Sequence, residues 1–167
     1  MIPTIQTSMS GFLNKLPGPF FDFLVTNGDH WERTGKAQRI TGIKQEYFHH
    51  PDALRVQDAI VQVVASCFES SHPTFNYYGP TEFCNENLSE LLDCLEGWIL
   101  QNRSRMTDAD FSGLLPVYFL EEARAVVDVW EEQWPIVRDE LSAKIEEIRN
   151  RGSIAKRNRQ TLLVLGV

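Results

Sequence analysis

The feature that most constrains this chain is an apolar stripe in its C-terminal third. Between Pro116 and Arg151, Leu120, Ala123, Val127, Trp130, Trp134, Val137, Leu141 and Ile148 keep helical phase, the pattern of a helix that buries one side. Pro135 stands inside the stripe, where it removes a hydrogen bond and clashes with the preceding turn, so a kink is expected near Gln133. Gly152 is the natural stop. In the stretch VWEEQWP the two tryptophans share the apolar side. The carboxylates Glu121, Asp128, Glu131, Glu132, Asp139 and Glu140 fall largely elsewhere and form an expected solvent-facing ridge.

Two further segments carry the same period. From Pro51 to about Ser70, Val56, Ile60, Val63, Val64, Cys67 and Phe68 predict a helix, with Pro51 at its first position and His72-Pro73 ending it. From Leu88 to about Asn102, Leu88, Leu91, Leu92, Leu95, Trp98 and Ile99 form a stripe capped by Asn87, with Glu90, Asp93 and Glu96 largely off it. Gly97 is expected at a close helix crossing. Residues 1–50 leave two readings open. PGPFFDFLVTNGDHWERTG is either a short helix stopped by Asn27-Gly28, the preferred reading, or a small hairpin turning there with Phe21, Phe23 and Val25 inward. A short helix is expected across Gly42–His49. The basic then apolar tail 153–167 ends in TLLVLGV, which must dock on the body or invite aggregation. The resulting expectation is a mostly α, single-domain bundle of five or six helices with a long kinked C-terminal helix.

A chain of 167 residues suits one domain and can bury a core without staples. The first residues lack the basic flank and apolar run of a secretory signal, and no window is apolar enough for a membrane span. Cys67, Cys84 and Cys94 are odd in number and irregularly spaced, which argues against a disulfide framework. A cytoplasmic location is expected. Charge is the informative part of the composition: the net of −7 divides into −11 over residues 1–143 and +4 over residues 144–167. An acidic body repels nucleic acid and attracts basic surfaces. The C-terminal bases Arg149, Arg151, Lys156, Arg157 and Arg159 are read as partners of the long helix's C-terminal end and of nearby acids.

Signals for chemistry are sparse. Glu46-x-x-His49 and Glu69-x-x-His72 have the ligand spacing of a di-iron carboxylate bundle, but each histidine lies at or near a proline. HHPD at His49–Asp52 resembles the His-Asp pairs of helical metal-dependent phosphohydrolases without their adjacent HD, and Asp29, His30 and Asp58 complete such a cluster only on paper. Cys67 and Cys94 read as small buried hydrophobes. Cys84, upstream of the Asn87 cap, has no placed base. No phosphate-cradling glycine loop, nucleophile elbow or HExxH occurs, and no cofactor is expected. FNYYGPTEF places Tyr77, Tyr78 and Glu82 on a loop, either as recognition anchors or as a plug for the core.

In type, though not in any motif, a small acidic helical chain of this kind is similar to the immunity proteins and antitoxins that neutralise bacterial toxins. That resemblance implies a non-catalytic inhibitor: an acidic ridge steers onto a basic toxin or effector domain, and aromatic anchors slow dissociation. The main rival is a metal-dependent helical hydrolase or di-iron-type oxidase using Glu46, His49, Asp52, Glu69 and His72. A third reading is a scaffold subunit that hides its apolar tail in a homodimer.

Overall fold

The C-terminal run Thr161–Gly166 is an interior strand. A computed structural model describes residues 19–35, 39–77, 79–104 and 134–166 of the protein. Six strands occur among them: β1 Phe20–Thr26, β2 Trp31–Thr34, β3 Arg39–Ile43, β4 Leu54–Gln57, β5 Pro80–Phe83 and β6 Thr161–Gly166. The four α-helices are α1 Asp58–Val63, α2 Ala65–Ser71, α3 Asn85–Ser104 and α4 Trp134–Arg157. Strands β4-β1-β6-β5, in that order, form an antiparallel sheet, and β2 and β3 a separate two-stranded ribbon.

The expected bundle of five or six helices is therefore overturned, and the protein is not all-α. Three local patterns account for the difference. In β6, Leu162, Leu163, Val164 and Leu165 are all buried, because a strand inside a sheet covered on both faces needs apolar side chains on both. In β1 the alternation of Phe21 and Phe23 with Asp22 has the period of a strand, and β6 supplies its partner, Phe23 opposite Val164. The helix expected from Pro51 to Ser70 is divided: Leu54 and Val56 pair with Phe23 and Phe21 in β4, and only then do α1 and α2 begin. The expected helix across Gly42–His49 shrinks to a single 3-10 turn at Gln45–Tyr47. Gly28 takes a left-handed φ of +86° after β1, but the chain it turns goes on to pair β2 with β3 instead of with β1.

One face of the sheet carries the main core. Phe21, Phe23, Val56, Leu162 and Val164 meet Phe68 of α2, Leu88, Leu91 and Leu95 of α3, and Val137, Leu141, Ile145 and Ile148 of α4. Fully burying each side chain of this size is worth roughly 1.5–3 kcal/mol. The helix α3 begins three residues before its expected start, and the Asn87 side-chain oxygen Oδ1 accepts from the Cys84 backbone N–H at 2.8 Å, the reach-back half of a capping box. Buried Asn102 ties α3 to α4 by donating to the Ser142 hydroxyl at 2.8 Å and to the Arg138 carbonyl at 3.1 Å.

The two helical glycines exchange their expected roles. Nothing lies within 4 Å of a Cβ built on Gly97, whereas one built on Gly152 falls 2.6 Å from Leu92 Cδ2. Gly152 is where α4 crosses α3, and the helix continues past it to Arg157. It ends by a left-handed Arg159 (φ 54°) and a bond from the Gln160 N–H to the Ala155 carbonyl at 2.7 Å, a cap that sends the chain straight into β6. The kink expected near Gln133 lies outside the described residues.

Candidate functional site

The second face of the sheet is covered by Ile43, Tyr47 and Ala53, which pack on Leu24, Leu163 and Leu165. The β2–β3 ribbon is held there by one carboxylate. Glu82 of β5 points to this face, accepts from the Trp31 indole N–H, and has its Oε1 against His30 Nε2. His30 is fully buried, its Nδ1 is 3.4 Å from the Thr26 hydroxyl, and its carbonyl accepts from the Lys44 N–H at 2.9 Å. Glu82, expected as a partner anchor, is therefore engaged inside the molecule. Beside it the Tyr47 hydroxyl donates to Asp29 at 2.7 Å. That bond holds the exposed Asp29 carboxyl below its usual range, while burial and Asp29 push the Tyr47 phenol up to about 12.

Two open clefts flank this region. One, of about 540 Å³, is lined by Asp29, Tyr47, His50, Asp52 and Arg151 together with the end of β1. Arg151 donates to the Asp52 carbonyl at 2.6 Å and fastens the end of α4 to that loop. The other, of about 770 Å³, lies between the first turn of α3 and the end of α4, and its lining includes Cys84, Glu86, Glu90, Lys156 and Arg159.

No protein-family model, no curated protein and no solved structure matches this chain.

The residues of the metal reading are dispersed. Glu46 lies on the 3-10 turn. His49 contacts Arg55 at 2.5 Å. The Asp52 backbone N–H donates to His50 Nδ1 at 3.1 Å. Glu69 is exposed on α2, and His72 stands edge-on to Phe83 at 5.2 Å. Among the described residues no group of three or more His, Cys, Asp or Glu side chains is placed to hold a metal ion. The loop aromatics face inward: Phe75 stacks on Phe68 at 5.3 Å, and Tyr77 meets Phe21 and Phe75 edge to face. Tyr78 lies outside the described residues.

Of the expected acidic ridge, Glu121, Asp128, Glu131 and Glu132 also lie outside the described residues. Asp139 is exposed but ion-paired with Arg138 at 3.3 Å, and Glu140 is half-buried. Further along α4, Glu146 pairs with Arg149 at 2.6 Å and Glu147 with Lys144 at 3.6 Å. The hydrogen bond from Arg149, helped by the Arg149 and Arg103 charges, holds the Glu146 carboxyl below the usual range. The acids of α4 are thus largely matched by bases on the same helix.

The contrast is α3. Glu86, Glu90, Asp93 and Glu96 follow one another at spacings of four, three and three, and all are exposed, which places them on the side of the helix away from the core. Glu86, Glu90 and Asp93 form no ion pair with a described residue, and Glu96 is near Arg149. The signal was present in the sequence as the charged positions off the Leu88–Ile99 stripe.

Proposed function

We propose that the protein is a non-catalytic binding protein of the immunity or antitoxin type, which engages a basic protein partner through the outward face of α3. The observation that supports this reading is the contrast between the two long helices. Asp139, Glu146 and Glu147 of α4 have cationic partners in the same helix, whereas Glu86, Glu90 and Asp93 stand exposed on α3 and form no ion pair with a described residue. Exposed carboxylates outside ion pairs project a negative field into solvent and speed encounter with a positive surface. Phe75 and Tyr77 of the loop are occupied against the core, which leaves the helix face as the surface this reading rests on. The scaffold reading loses its reason, since β6 buries the tail's apolar side chains within the sheet.

The test is affinity capture from the native cell, with the wild-type chain and the triple variant Glu86→Lys, Glu90→Lys, Asp93→Lys compared side by side. A basic protein retained by the wild type and lost by the correctly folded variant supports the reading. Equal retention by both removes α3 from it.

A further inference from the structure

The β2–β3 ribbon is a separate sheet, so no backbone ladder ties it to the four-stranded sheet it covers. Glu32, Arg33 and Thr34 of β2 are exposed, Ile40 of β3 is 57% exposed, and Ile43 packs on Leu24, Leu163 and Leu165. The other fastening is polar. Glu82 of β5 meets the Trp31 indole N–H and the His30 ring through the same oxygen, Oε1. His30 is fully buried and its Nε2 has no other partner among the described residues, whereas the Glu82 side chain is 34% exposed and open to protons from solvent. We propose that the ribbon is an acid-opened flap, latched by the Glu82 carboxylate and released from the sheet when that carboxylate is protonated, with the main core still folded.

Two proton-binding groups meet here, and they act in opposite ways. A proton on the His30 ring is tolerated. The Thr26 hydroxyl, 3.4 Å from Nδ1 and already accepting from the Gly28 N–H at 3.3 Å, can turn to accept from Nδ1–H, while Glu82 balances the charge. A proton on Glu82 is not tolerated once the ring is charged. It leaves an imidazolium buried with no counter-charge at Nε2, a state that lifting the ribbon relieves by returning the ring to water. The neighbouring groups do not replace Glu82. Asp29 stays charged to lower pH than an ordinary aspartate, but it is exposed, so water and salt screen its hold on the ring. Tyr47, edge-on to His30 at 5.7 Å, is neutral throughout the acid range. Lys44, whose backbone N–H binds the His30 carbonyl, stays positive and opposes a second cation. β1 contributes Thr26, and β6 contributes Leu163 opposite Glu82, neither of them charged. His50, Asp52 and Arg151 join Asp29 and Tyr47 in lining the adjoining cleft.

The test is hydrogen–deuterium exchange of the full-length protein, read by mass spectrometry in steps from about pH 7 to about pH 4 and corrected for the intrinsic pH dependence of amide exchange. Peptides from β2 and β3 should lose protection by about tenfold or more on acidification, reversibly, while those from β1, β6 and α3 keep theirs. Glu82→Gln should open the ribbon at higher pH than the wild type, since an amide cannot balance a charged ring. Trp31→Phe should also move the opening to higher pH, because a carboxylate that loses a donor is protonated sooner. Should the glutamine variant not fold, the wild-type series and Trp31→Phe decide the matter. The proposal is overturned if the ribbon and the main core lose protection together, or if ribbon protection is the same at every pH. It is equally overturned if Glu82→Gln or Trp31→Phe opens at the wild-type pH.

Discussion

Asp22 and Arg55 sit opposite each other on β1 and β4, and the guanidinium closes over a carboxylate that is only 1% exposed, at 3.0 and 3.3 Å. An aspartate in an interior strand is tolerable only because that fork supplies two charge-assisted donors. Arg55→Leu should therefore cost about 2–3 kcal/mol, short of the full cost of breaking a buried pair because the arginine is 42% exposed. Adding Asp22→Asn should recover part of the loss. Urea denaturation of the two single variants and the double variant measures the coupling; independent, additive losses would contradict the pairing.

Tyr47 and Asp29 predict opposite limbs in the pH dependence of stability. Asp29 has a lowered folded pKa, so its contribution is present above the ordinary aspartate value of 3.8 and is lost as pH falls through the lower folded value. Tyr47 has a raised one, so its contribution is complete below 10.0 and is lost as pH rises through about 12. Tyr47→Phe should flatten the alkaline limb. Absorbance titration at the phenolate band should show one of the four tyrosines ionising near 12 in the wild type and that step missing in the variant.

The two helical glycines should respond with opposite signs. Gly97→Ala adds a methyl to open space and removes backbone freedom from the unfolded chain, a gain of up to about 1 kcal/mol. Gly152→Val forces carbon into the Leu92 contact and should cost about 1–3 kcal/mol by overpacking. Thermal melts of both variants decide it, and a stabilised Gly152→Val would contradict the α3–α4 crossing described above.

How much of this was legible in the sequence depended on the range of the interaction that fixed each element. The helix α3 was legible because Leu88, Leu91 and Leu95 repeat locally, and the buried side of α4 because Val137, Leu141 and Ile148 do. The strand β6 was not, since a short apolar run has no period and its meaning comes from the β1 and β5 neighbours. Leu54 and Val56 were absorbed into a helix for a related reason: two apolar residues at i and i+2 look helical when more helical positions follow. The acidic face of α3 could be read from spacing alone. The Glu82 contacts to His30 and Trp31 could not, because more than fifty positions separate them and no local pattern links the three.

As proposed above, α3 steers a basic partner by charge. The most direct measurement is the association rate constant of wild-type chain and captured partner as ionic strength rises, repeated with the Glu86→Lys, Glu90→Lys, Asp93→Lys variant. The prediction is a wild-type rate that falls steeply with salt and a slower variant rate with a shallow or reversed slope. A wild-type rate indifferent to salt, or the same slope in both proteins, would contradict it.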